Sequence, residues 1–218
     1  MEKVPFKKNL ENFWYYYKIH TIVAVFVIIS LAILITQCAT RISPDMTVII
    51  ASTTVNFTDE QETALEQKLS QYTDDINSDG KKVVEVQKFY ISDSPSDSQL
   101  NAALQQKFAT VLASSDATIY ILDDGYYSQL NSTAQFSSDL SLIASNSSLK
   151  SADDKAVTKV QLSELSDFDI DGMPNGFNNL YFTVRTFAEK SPVDNTNKSI
   201  QNSVAVARKI LLNNKSAK

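Results

Sequence analysis

The pattern of apolar and polar positions divides the chain in two. Residues 21–38, an 18-residue run reading TIVAVFVIISLAILITQC, carry no charge and only Thr21, Ser30, Thr36 and Gln37 as polar side chains. A helix of that length rises about 27 Å, close to the ~30 Å hydrocarbon thickness of a bilayer. Beyond residue 45 the apolar residues recur instead in short runs and helical stripes. Residues 46–51 (MTVIIA), 83–91 and 117–122 (ATIYIL) predict strands; the first and third are continuously apolar, as in strands buried on both faces. Between the first two, Thr58-x-x-Gln61 is a capping box, followed by Leu65, Leu69 and Tyr72 at helical spacing. Ser96-x-x-Gln99 predicts a second helix, whose stripe is Leu100, Ala103, Leu104, Phe108, Val111 and Leu112. A short helix is expected over 126–130, strands over 158–162 and 180–185, and a closing helix over 199–212. On that last helix Ile200, Val204, Ala207 and Leu211 share a face. The alternation implies an α/β fold: a transmembrane helix followed by a single three-layer α/β lobe on a mostly parallel sheet, with right-handed crossovers.

The flanks of the apolar run assign it to a membrane. Trp14, Tyr15, Tyr16 and Tyr17 form an aromatic belt, and Lys18 can snorkel to the headgroups. Residues 1–20 set four lysines against Glu2 and Glu11, a net of +2, whereas Arg41 is the only basic residue just past the other end. That bias predicts a cell-membrane protein that spans once, with its N-terminus in the cytoplasm and the rest outside. The expected organisation is a juxtamembrane segment (1–20), the span (21–38), a linker (39–45), an extracytoplasmic α/β domain (46–213) and a tail (214–218). A cleaved signal peptide is the rival, but the apolar run exceeds the usual 7–15 residues and no small-x-small site follows. A lipoprotein signal ending at Cys38 is a second rival, and Gln37 before that cysteine makes a poor processing site.

Composition then removes much of the enzyme repertoire. The chain has one His (His20) and one Cys (Cys38), both in or beside the apolar run. The outer part therefore has no imidazole or thiol for nucleophilic catalysis, His–Cys zinc sites or disulfides. Its four glycines are too scattered for a phosphate-binding fingerprint. From residue 42 onward 15 basic residues face 23 acidic ones, a net of −8, which argues against nucleic acid as a partner. Five N-x-S/T triplets, the first at Asn56, read as part of a Ser/Asn-rich bacterial surface.

Two acidic loops suggest an ion. Asp75-x-Asn77-x-Asp79-Gly80 matches the first half of an EF-hand-type calcium loop, with Glu85 one residue short of the closing position. Asp167-x-Asp169-x-Asp171-Gly172 repeats the phrase, with Asn178 at its twelfth position. Neither supplies the bidentate Glu, so any calcium affinity belongs at the weak end, ~10⁻⁴–10⁻³ M. Asx-turns use the same residues without a metal.

In open α/β sheets a ligand sits beyond the carboxyl ends of the strands, at the switch point. Candidates there are Ser52 and Thr53 after the first strand, Asp93 after the second, and Asp123, Tyr126 and Tyr127 after the third. Their hydroxyls, carboxylates and rings suit a polar or cationic solute, although Ser, Asp and Gly also serve as ordinary helix caps. Residues 114–143, SSDATIYILDDGYYSQLNSTAQFSSDLSLI, resemble the segment of extracellular solute-binding proteins in which a strand and short helix end in a "dLs" phrase. The strand–helix–strand–helix upstream is similar to the first lobe of that type 2 periplasmic-binding fold. FKKNLENFWYYYKIH and the span after it resemble uncharacterised single-pass proteins of Gram-positive bacteria, whose ectodomains often contain a D-x-N-x-D-G phrase. The resemblance covers residues 5–143 and implies a binding lobe. It departs from the family after residue 143, where too little chain remains for a second lobe, and no ligand contact carries over.

Three functional expectations follow. The first is a membrane-anchored, non-catalytic binding or interaction module, held in the bilayer by residues 21–38, whose partner is another membrane or cell-surface protein or a small polar solute. The second is a structural surface protein stabilised by calcium. The third is a carboxylate-dependent hydrolase, since carboxylates are the catalytic side chains left.

Overall fold

The computed structural model describes residues 6–40, 43–92, 94–114, 117–132, 139–144, 156–185 and 197–213. The chain forms two units, residues 1–42 and 43–218.

The first unit is one helix, α1 (Phe6–Thr40). Its apolar stretch, Trp14–Thr36, is long enough to cross a membrane, at about 34 Å for 23 residues, and among the described residues its apolar window has no buried position. Phe26 is 70% exposed and Ile28 65%. The hydroxyl of Thr36 donates back to the Ala32 carbonyl at 2.9 Å, which hides its polarity inside the helix. The helix continues through the aromatic belt on the N-terminal side, so from Phe6 onward the expected juxtamembrane segment and the span form one continuous element.

The second unit is built on a five-stranded sheet of β1 (Met46–Ser52), β2 (Val84–Tyr90), β3 (Ile119–Leu122), β4 (Val160–Gln161) and β5 (Tyr181–Val184), in the order β2-β1-β3-β5-β4. β1 lies parallel to β2 and β3, while β5 is antiparallel to both β3 and β4, so β5 alone runs against the others. The mostly parallel sheet is thus as expected, with one reversed strand that apolar patterning does not encode. Helices α2 (Asp59–Ser70), α3 (Ser98–Ser114), α4 (Asp124–Asn131), α5 (Leu140–Ala144) and α6 (Lys198–Leu212) complete the unit. Leu65 and Leu69 of α2, Leu140 and Ile143 of α5, and the Ile200, Val204, Ala207, Leu211 face of α6 pack on one side of the sheet. Phe108 of α3 and Tyr126, Tyr127 and Leu130 of α4 pack on the other.

Thr58 and Gln61 form the capping box read from the sequence. The helix expected to open at Ser96 begins two residues later. The Ser96 hydroxyl bonds to the Ser94 and Asp97 side chains within a 3-10 turn, Pro95–Asp97, and α3 starts only at Ser98. The expected α3 stripe is also only partly buried. Phe108 is inside and stacks edge-on with Phe89 and Tyr126, Leu104, Val111 and Leu112 are half-buried, and Leu100 is 60% exposed. Edge strand β2 is guarded by α2: the Glu66 carboxylate accepts the Val86 N–H, and Lys88 pairs with Asp59 and Glu62.

Candidate functional site

β1 lies between β2 and β3, and the helix after β1 packs on the opposite face from the helix after β2. The switch point therefore falls between β1 and β3, and a cavity of about 440 Å³ opens at their carboxyl ends. Thr53, Thr54, Asp123, Asp124, Asn179 and Tyr181 contribute to its lining.

Asp123 organises this end of the sheet. Its Oδ2 accepts the Thr53 N–H at 2.7 Å and the Thr53 hydroxyl at 3.0 Å, while its Oδ1 caps α4 by accepting the Tyr126 N–H at 2.8 Å. Ser52 is buried, and its Oγ accepts the N–H groups of Thr54 and Val55, both at 3.0 Å. Thr53 and Asp123 thus bond to each other and line the cavity, while Ser52 beside them bonds to Thr54 and Val55, so the oxygens of all three brace their own chain. Asp123→Ala should destabilise the second unit by about 2–4 kcal/mol, from a lost cap of ~1 kcal/mol and an orphaned Thr53 amide costing ~1–3 kcal/mol. Urea unfolding checks it.

Tyr126 and Tyr127 are buried in the core and do not line the cavity. Burial, together with the Asp123 charge, pushes the Tyr126 phenol up to about 12, so it stays neutral through physiological pH. The Tyr127 hydroxyl bonds to Thr158 Oγ1, and its ring supports the ammonium of Lys159. Asp93 lies outside the described residues. Sequence reading missed the far wall, Gly176, Asn179 and Tyr181. No motif marks these residues; they reach the site because β5 pairs antiparallel with β3, placing Tyr181 opposite Leu122.

The acidic loops hold themselves together with protein atoms. Asp75 accepts the N–H groups of Ser78 (2.6 Å) and Gly80 (2.9 Å), Asn77 Oδ1 accepts that of Asp79 (2.9 Å), and Asp79 Oδ1 accepts that of Lys81 (2.8 Å). Gly80 takes φ +81°, the left-handed conformation that this reversal needs. Glu85 lies on β2, exposed, and accepts a bond from Gln87. In the second loop, Asp167 turns inward and accepts the hydroxyl of Tyr72 and the amide of Asn213. That hydrogen bond, with burial and the carboxylate charge behind it, raises the Tyr72 phenol to about 12. Asp169 and Asp171 line a separate polar hollow of about 310 Å³. Among the described residues no three His, Cys, Asp or Glu side chains converge in a way that could hold a metal. Comparison with protein-family models, with curated proteins and with solved structures gave no match.

Proposed function

We propose that this chain is a single-pass membrane protein whose α/β unit is a non-catalytic binding module on the extracytoplasmic side. In this reading the unit is built like one lobe of an extracellular solute-binding protein. The anchor is supported by an exposed apolar helix that only lipid or another apolar partner would cover. The observation that carries binding is the cavity at the switch point between β1 and β3, the place where open α/β sheets take ligands. The absence of catalysis is supported by the engagement of Asp123 and Asp167 with their own chain.

Two measurements test the reading. Full-length protein should stay in the membrane pellet after alkaline carbonate extraction and should retain its N-terminal residues by intact mass; an N-terminus beyond residue 36 would mark a cleaved signal instead. For binding, Gly125 lies on α4 at the cavity wall with ordinary helical φ, so Gly125→Phe fills the space without backbone strain. A polar solute that raises the melting temperature of the wild-type chain should leave that of Gly125→Phe unmoved. A solute that shifts both equally binds elsewhere, and the cavity is then not the site.

A further inference from the structure

Lys159 immediately precedes β4, and its ammonium sits in a cage. It lies 2.5 Å from Asp124 Oδ1 and over the rings of Tyr127 and Tyr181, 4.4 and 4.0 Å from their centroids. The walls come from two elements, α4 and β5, which meet because the sheet brings β5 beside β3. The Tyr127 ring is fixed in advance: it is buried, and its hydroxyl is bonded to Thr158. Ring faces attract cations through their quadrupole, and a carboxylate at the open side supplies the counter-charge.

Two of these three walls, Asp124 and Tyr181, also line the cavity at the switch point. A cation entering the cavity therefore meets two of the three groups that hold Lys159. The Lys159 side chain is 29% exposed, so its head can leave the cage on its own flexible stem without crossing the core. The acidic balance of the unit favours the approach of positive charge.

We propose that the Tyr127–Tyr181–Asp124 cage is an ammonium-binding site that Lys159 fills from within, and that the ligand of the cavity is an organic ammonium which displaces it. This rests on the binding-module reading and gives that module its ligand class. Because the lysine head is tethered, it competes at an effective concentration in the millimolar range. The ligand overcomes that competition through additional contacts along the cavity, where Thr53, Thr54 and Asn179 offer polar groups. Its observed affinity is lowered by the fraction of time that Lys159 occupies the cage.

The test titrates the full chain in detergent micelles with n-butylammonium, using n-butanol as the uncharged match. Lys159→Ala should bind n-butylammonium at least tenfold more tightly than wild type, and n-butanol should not reproduce the gain. Adding Tyr181→Ala to that variant should abolish it. Should Lys159→Ala alone fail to fold, n-butylammonium should restore its folded circular dichroism spectrum. Equal affinity of wild type and variant, equal binding of n-butanol, or no restoration of an unfolded variant would each overturn the proposal. A solute without an ammonium that Gly125→Phe excludes would also overturn it, while leaving the binding module standing.

Discussion

Replacing Asp45 with Ala should lower the unfolding free energy of the α/β unit by about 3–5 kcal/mol, from two half-buried amides left without their acceptor and the space left behind in the core. Asp45 is fully buried at the entrance to β1. Its Oδ1 accepts the Ile76 N–H and its Oδ2 the Val83 N–H, both at 2.8 Å, and its own N–H donates to the Val83 carbonyl. One side chain thus closes the acidic 75–80 loop against the start of the sheet. Asn202 of α6 secures the same corner, donating to Thr73 Oγ1 at 2.7 Å and to the carbonyls of Asp45 and Asp74. Ala leaves both amides without an acceptor, a large share of the ~5–15 kcal/mol that stabilises a typical domain. A fall in melting temperature of roughly 10 °C is expected at this size. Asp45→Asn keeps one acceptor and should cost less, and Asp75→Ala, at a half-buried position whose bonds stay within its own loop, less again. An Asp45→Ala loss below 1 kcal/mol in urea unfolding would show that the loop is held some other way.

Ile28→Arg should strip the chain from the membrane while leaving the α/β unit intact. Ile28 lies near the middle of Trp14–Thr36 and is 65% exposed, so an arginine there would face lipid. A central arginine costs ~2.5–3.5 kcal/mol on insertion scales. That is enough to lower the inserted fraction by roughly two orders of magnitude if insertion is near balance, at 1.4 kcal/mol per tenfold. The helix forms a unit of its own, so the thermal transition of the second unit should not move. Retention in the carbonate pellet, measured beside Ile28→Leu, separates the two effects. Unchanged retention would mean that the helix is not what holds the protein to the membrane.

The parts of this fold that were legible in the sequence are those fixed by local pattern. The β1 and β3 runs are apolar at nearly every position because both strands are central and covered on both faces. The α6 face was legible because its four apolar positions are all buried. What escaped was set by pairing over long separations. The reversal of β5 depends on a register with β3 across more than fifty residues, and that register brings Asn179 and Tyr181 to the site. Asp45 reads as an ordinary turn residue after Ser43-Pro44, and nothing local says that its carboxylate closes a loop 30 residues on. Leu100 misled in the other direction, because its helical spacing matches Phe108 and yet it is 60% exposed while Phe108 is buried, a difference that spacing alone does not carry. The acidic loops carry the same letters in an ion site and in an Asx-turn; only the directions of the oxygens separate the two.

The central claim is a tethered α/β unit outside the cytoplasm, and thiol accessibility tests it most directly. Cys38 is the only native cysteine, so Cys38→Ala gives a clean background for single probes. Gln105→Cys lies on the exposed surface of α3, and Asn9→Cys lies on α1 before its aromatic belt. With a membrane-impermeant maleimide on intact cells, Gln105→Cys should label in the membrane fraction and Asn9→Cys only after permeabilisation. Labelling of Asn9→Cys alone on intact cells would contradict the topology, and recovery of labelled Gln105→Cys in the medium would contradict the tether.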